Sequence, residues 1–117
     1  MRVGIDIVSV SKIERIICRW GDRFLERVYS KEEIDSARKR RGSLFYQHLA
    51  GRFAVKEAII KTLDEPIALR NISVVNTANG KPKVVYPREK FAISISHTEE
   101  YAAAVCIRFE GGEDANA

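Results

Sequence analysis

Apolar and polar positions alternate from the second residue. Val3, Ile5 and Ile7 fall on one face and Gly4, Asp6 and Val8 on the other, which predicts a strand over 2–8 with Asp6 opposite the main apolar face. The period then becomes helical: Ile13, Ile16, Ile17 and Trp20 form an apolar stripe, with Ser9 or Ser11 as cap and Gly21 as the stop. On a neighbouring face Lys12, Arg15, Arg19 and Arg23 make a basic row. Ser30-Lys31-Glu32-Glu33 has the capping-box pattern, predicting a helix that runs to the basic cluster Arg38-Lys39-Arg40-Arg41 and stops near Gly42. A long helix is expected over about 44 to 63, capped by Ser43. Its Leu44, Phe45, Leu49, Phe53, Ile60 and Leu63 are supplemented by Ala50, Ala54 and Ala58, leaving little surface for water.

Pro66 marks the exit from that helix. Residues 72–75 and 83–86 read as strands joined through Asn79-Gly80, in a loop lengthened by Pro82. Phe91, Ile93 and Ile95 alternate with Ala92, Ser94 and Ser96 in a further strand. After a turn at His97-Thr98-Glu99-Glu100, residues 101–109 supply the last one. The expected fold class is therefore α+β, antiparallel strands packed on a long helix, in a single domain over 1–110. The acidic, Gly-rich stretch 111–117 is expected to be a disordered tail.

At 117 residues the chain can bury roughly 65% of its unfolded surface, enough for one modest core. There is no long apolar run and no charged and apolar leader, so neither a membrane span nor a signal peptide is expected, and the localisation expected is cytoplasmic. Cys18 and Cys106 lack His or Cys at metal-ligand spacing and read as reduced core thiols. Charge is uneven. Residues 1–62 carry fourteen Lys and Arg against eight Asp and Glu, and residues 63–117 carry six against eight. A basic face in the first half would attract an acidic partner: nucleic acid, a phosphorylated cofactor or an acidic protein.

The candidate chemistry begins with Asp6. An ionised carboxylate between two isoleucines is costly to desolvate without a partner, and a divalent cation is a partner that tolerates a second carboxylate nearby. Magnesium takes one or two protein carboxylates and leaves positions for substrate phosphates. Glu57 and Lys61, four apart on the long helix, share a face; a metal-holding carboxylate with an ammonium one turn further on suits a diphosphate group. Small neighbours at Ala50 and Ala54 would leave room for it. Arg52 and Lys56 project roughly 140° away and would meet another part of a ligand or partner, or a salt-bridge acid. Ser94-Ile95-Ser96-His97-Thr98 offers several donors to phosphate oxygens, or simply a polar hairpin corner. His48, inside the helix, reads as structural.

Four blocks, Gly4-Ile5-Asp6-Ile7-Val8, Leu49 to Ala58 with Lys61, Asn79-Gly80-Lys81-Pro82, and Ser94 to Thr98 followed by Glu100-Tyr101-Ala102, occur in one order and spacing. Together they resemble the holo-acyl-carrier-protein synthase family, the small bacterial 4'-phosphopantetheinyl transferases, over residues 3 to about 107. The resemblance implies a homotrimer with active sites at subunit interfaces. It further implies Mg2+-dependent transfer of the phosphopantetheine arm from coenzyme A to a serine of acyl carrier protein, releasing adenosine 3',5'-bisphosphate. On the same basis Asp6 and Glu57 are metal ligands, Glu57 and Lys61 catalytic residues, and Lys61 the phosphate-contacting lysine. Arg52, Gly80, Lys81, Pro82, Ser96, His97 and Thr98 line the coenzyme A cleft, with the Ser-His-Thr segment reaching in from the adjacent subunit. Lys12, Arg15, Arg19 and Arg23 match the carrier-docking surface, Lys12 standing where the family commonly has Arg.

The chain departs from the family pattern at two further places. Leu63-Asp64-Glu65-Pro66-Ile67 replaces a Gly-Thr-Gly loop, and a helix usual between the strands ending near Tyr86 and starting near Phe91 is missing. The rival readings are a basic nucleic-acid-binding module, resting on Arg38 to Arg41 and on the basic row of the first helix, and an inactive coenzyme A-binding subunit. The family reading excludes nucleic acid and membrane as partners.

Overall fold

Helix α4, Ser43–Ile60, is the element on which the others are arranged. The computed structural model describes residues 1–111. In chain order the elements are β1 (Arg2–Ser9), α1 (Val10–Trp20), α2 (Asp22–Val28), α3 (Lys31–Ala37), α4, a 3-10 turn at Leu69–Asn71, β2 (Ser73–Asn76), β3 (Pro82–Tyr86), β4 (Lys90–His97) and β5 (Tyr101–Phe109). An antiparallel sheet in the order β1-β5-β4 packs on α4, and β2 and β3 form a separate antiparallel pair. Helices α1 and α3 also pack against α4. The α+β class with antiparallel strands on a long helix is as expected.

Which face of β1 meets the helix is set by Gly4. A Cβ there would lie 2.0 Å from the backbone oxygen of Ala58, so only glycine allows this approach. Gly4, Asp6 and Val8 therefore turn toward α4, while Val3, Ile5 and Ile7 stand outside at 62%, 66% and 67% exposure. The stripe expected to be the main apolar face is not the core face. Asp6 does lie opposite it.

Other expectations need correction. Residues 22–28 form α2, which the sequence reading missed; Gly21, at φ +57°, separates it from α1. Arg23 consequently sits on α2, and Trp20 is 48% exposed instead of completing the apolar stripe. The Ser30–Glu33 capping box is present, but α3 ends at Ala37, before the basic cluster. Ser43 is the first residue of α4 and not its cap; Gly42 takes that position without a side-chain bond, and α4 ends at Ile60. Cys106 is a buried thiol, its pKa pushed up to about 11 by burial, whereas Cys18 is exposed.

Ala50, Ala54 and Ala58 are fully buried. They belong to the core, with Ala102, Ala104 and Cys106 of β5, so their short side chains serve close helix-to-sheet packing and leave no room for a ligand. Lys56 is likewise not available to a ligand. Its ammonium, 0% exposed, lies 2.5 Å from the Glu33 carboxylate and donates to the carbonyls of Val28 and Leu69 at 2.7 and 3.1 Å. Glu33, also buried, accepts from the backbone N–H of Ser30 at 2.8 Å and of Val74 at 2.9 Å. Burial pulls the Lys56 pKa down and the Glu33 charge opposes that pull.

Removing one member of this pair leaves the other buried and uncompensated. Glu33→Ala is expected to cost about 3–5 kcal/mol, read as a lowered urea midpoint, whereas joint replacement of Glu33 and Lys56 by Leu and Met should cost much less.

Candidate active site

Two clusters of predicted site residues lie on different parts of α4. The first joins β1 to the helix. Asp6 and Glu57 line one cavity of about 240 Å³ together with Lys12, Ser9, Phe53 and Ile16. Asp6 reaches it because Gly4 brings β1 onto α4 two residues earlier. Lys61 closes the arrangement: its ammonium donates to the Ile5 carbonyl at 2.7 Å and lies 3.4 Å from the Asp6 carboxylate. The lysine thus pairs with Asp6 rather than forming the intrahelical pair with Glu57. Among the described residues Glu57 makes no ion pair, and its carboxylate is left to the cavity. Two hard carboxylates facing one space, with no sulfur or imidazole donor, fit a magnesium ion, which keeps most of its waters. Among the described residues no group of three or more His, Cys, Asp or Glu could hold a metal ion.

The second cluster lies on the opposite flank of α4, toward β4 and the β2–β3 hairpin. Arg52, Gly80, Pro82 and His97 line a cavity of about 190 Å³ with Arg40, His48 and Asn76. It shares no residue with the first. Arg52 is buried, donates to the Asn76 side-chain oxygen at 2.6 Å, and retains a buried Nε with no partner among the described residues; burial pulls its pKa down. His97 follows Ile93 and Ile95 on the helix-facing side of β4, and its Nδ1 lies 2.7 Å from the Gln47 amide oxygen. Gly80 has φ +82° at the hairpin tip, where the backbone turn requires glycine.

Three predicted residues are elsewhere. Ser96 points to the outer face of the sheet, Lys81 is exposed beside the hairpin tip, and the Thr98 hydroxyl caps its own turn by accepting from the N–H groups of Glu100 and Tyr101. None of the three lines either cavity. Sequence reasoning did not pick out Arg40, Gln47 or Asn76. Arg40 was visible only as part of a basic run, and nothing in the spacing of Gln47 or Asn76 pairs them with His97 or Arg52.

Lys12, Arg15, Arg19 and Arg23 are all exposed. Arg19 and Arg23 flank the Trp20 ring at 5.3 and 5.8 Å, and Arg23 lines a wide groove with Trp20, Phe24, Ile16, Arg27 and Arg70. The run at 38–41 is less uniform. Arg38 pairs with Asp22 at 3.2 Å and Arg40 donates to the Ser36 carbonyl at 2.6 Å, so these charges do not form one free basic face.

The fold and these clusters place the chain in a class of transferases: it belongs to the 4'-phosphopantetheinyl transferase superfamily, whose description matches residues 2–106. Within that class its relatives are holo-acyl-carrier-protein synthases. The chain is 41% identical to the holo-[acyl-carrier-protein] synthase of Thermodesulfovibrio yellowstonii, over 90% of this chain and 95% of that one. The Bacillus anthracis holo-(acyl-carrier-protein) synthase, solved in complex with CoA (3',5'-ADP), superposes with a TM-score of 0.81 at 32% identity, covering 91% of this chain and 93% of that one. The Helicobacter pylori holo-[acyl-carrier-protein] synthase in complex with coenzyme A gives 0.81 at 29% identity, covering 92% and 100%. The chain is an enzyme of the phosphopantetheinyl transferase kind.

His48 supplies a pH test of the second cavity. Burial first, then the charges of Arg52, Arg40 and His97, lower its pKa from 6.5 to about 3, and its Nε2 is buried without a partner among the described residues. The unfolded chain gains this proton near pH 6.5 and the folded chain only near 3. The stability contributed by neutral His48 is therefore complete above pH 6.5 and is lost as pH falls toward 3. The urea midpoint should fall across that window, and His48→Gln should flatten the fall relative to the parent.

Proposed function

We propose that this enzyme transfers the 4'-phosphopantetheine group from coenzyme A to a serine of apo acyl carrier protein with Mg2+, releasing adenosine 3',5'-bisphosphate. The observation that carries the reading is the meeting of Asp6, Glu57 and Lys61 from β1 and α4 beside one cavity. Asp6 and Glu57 would hold the metal, which when bound neutralises the diphosphate charge. The serine oxygen forms a bond to the phosphorus carrying the pantetheine arm, and the bond from that phosphorus to the bridging oxygen breaks, so the bisphosphate leaves with the electron pair. Glu57, which makes no ion pair among the described residues, is suited to accept the serine proton directly or through a water on the metal it would hold. Lys61 places a positive charge at the edge of the site, where it offsets charge developing on the phosphate oxygens.

The second cavity suits the nucleotide half of coenzyme A: Arg40 and Arg52 supply charge, and the unpartnered Arg52 Nε is a donor awaiting an acceptor. Since the two cavities share no wall, a complete site is best made by two copies, with Asp6 and Glu57 from one and Arg52, Gly80, Pro82 and His97 from the next. The exposed apolar stripe of Val3, Ile5 and Ile7, adjoining Val105 and Ile107 on β5, is a surface fitted for that assembly, here a homotrimer. Lys81, Ser96 and Thr98 are proposed to reach the cofactor only in that assembly. Lys12, Arg15, Arg19 and Arg23 form the face for the acidic carrier protein, with Trp20 and Phe24 as its apolar centre. No helix among the described residues is long and apolar enough to cross a membrane; a cytoplasmic location is proposed from the substrates.

Mass spectrometry of apo acyl carrier protein incubated with coenzyme A and Mg2+ tests the reading, the expected result being a phosphopantetheine mass gain. A chain that binds coenzyme A without causing that gain would support the inactive subunit instead. Asp6→Ala and Glu57→Ala should each lower turnover by at least about a hundredfold with the fold intact. Asp6→Ala mixed with an impaired His97→Ala should regain activity above either parent after subunit exchange; no regain would argue for a site within one copy.

Arg15→Glu with Arg19→Glu should raise the carrier-protein KM while sparing coenzyme A affinity. Parent activity with the carrier should also fall as salt rises to about 0.2 M, where screening shortens below about 8 Å. An unchanged carrier KM would remove the docking assignment.

A further inference from the structure

His97 is held by one buried side chain. Its Nδ1 lies 2.7 Å from Oε1 of Gln47. Gln47, 6% exposed, donates from its amide nitrogen to the Ser43 hydroxyl one turn earlier, at 2.9 Å. With the nitrogen end engaged by Ser43, the oxygen end faces His97. An amide oxygen only accepts, so the proton of this bond sits on Nδ1 of the ring. His97 lines a cavity with Arg40, His48, Arg52 and Gly80, and with Nδ1 bound to Gln47 the ring nitrogen it can offer a ligand there is Nε2. A charged imidazole donates from both nitrogens, and an acceptor on Nδ1 is the partner compatible with Nε2–H binding an anion.

We propose that Gln47 is a positioning residue: it accepts a hydrogen bond from Nδ1–H of His97 and thereby turns Nε2 toward an anionic oxygen of the cosubstrate, a phosphate oxygen of coenzyme A, to which the ring donates as the imidazolium. This rests on the reading of the cavity as the nucleotide half of the site. Ser43 completes the arrangement by fixing the amide's orientation. The Ser43–Gln47–His97 chain crosses from the first turn of α4 to the end of β4, so the histidine's direction is set by the helix and not by its own turn.

Two substitutions separate this role from packing. Gln47→Glu keeps an acceptor at the same reach, and Gln47→Met keeps the length without one. By calorimetry Gln47→Met should weaken coenzyme A binding about tenfold, the scale of one hydrogen bond to a charged group, while Gln47→Glu should stay within about twofold of the parent. In a His97→Ala background Gln47→Met should add less than about twofold, because the two residues act as one unit. Nitrogen-15 spectra of the ligand-free parent should show His97 protonated at Nδ1, a signature that packing alone would not produce. Parent-like coenzyme A binding by Gln47→Met, additive effects in the double variant, or a parent His97 protonated at Nε2 alone would each overturn the inference. The spectrum of the parent decides even if Gln47→Met does not fold. A parent with the Nδ1 signature that binds no coenzyme A would overturn the reading of the cavity, and this role with it, while leaving the Gln47–His97 bond intact.

Discussion

The buried pair of Lys56 and Glu33 is the constraint on which the arrangement around α4 depends. Neither charge is tolerable alone in the interior, and every remaining donor or acceptor must find a partner. The ammonium meets that condition with the Val28 and Leu69 carbonyls, and the carboxylate with the N–H groups of Ser30 and Val74. One ion pair therefore fixes the end of α2, the start of α3, the turn before β2 and the first residues of β2 to a single point on α4. Tyr29 adds to it, its ring 5.5 Å from the ammonium and its hydroxyl donating to the Leu49 carbonyl at 2.8 Å.

Lys56 and Glu57 are consecutive, and a helix turns adjacent residues about 100° apart. The anchoring of Lys56 in the interior thus leaves Glu57 at the edge of the core, facing the cavity it shares with Asp6. Five residues earlier the same helix presents Arg52 to the other cavity. A helix held through Lys56 by an ion pair and pressed against Gly4 on one flank, with Gly51 so close to Ile95 on another that a Cβ there would lie 3.0 Å from it, keeps both sets of side chains in fixed relation to the sheet.

The segment after α4 and the β3–β4 connection meet in one place. Arg108 of β5, nearly buried, binds Glu89 at 2.9 Å and Asp64 at 3.5 Å. Asp64 belongs to the segment that follows α4, and Glu89 to the short connection between β3 and β4. Arg2 joins the same group through Asp64 at 2.7 Å and Glu110 at 2.6 Å. The loop after α4 and the β3–β4 connection are tied together at the end of the sheet away from Asp6.

Periodicity in the sequence determined the element types, because alternation and helical spacing report which side chains share a face. It identified β1, α1, the long helix, both hairpins and the capping box at Ser30, and it singled out Asp6 because a charge set among apolar residues requires a partner, and Glu57 and Lys61 because their spacing puts them on one helix face. It missed α2, whose seven residues after Gly21 are too short for a pattern to stand out. What periodicity lacks is the direction of the core. Whether Val3, Ile5 and Ile7 or Gly4, Asp6 and Val8 turn inward was decided by the backbone contact at Ala58, a contact between residues far apart in sequence. The same limit applies to pairing. Lys56 with Glu33, Lys61 with Asp6 and Gln47 with His97 are joined only when the helix is laid across the sheet, since a charge or an amide specifies the kind of partner it needs and the fold alone specifies which one it meets.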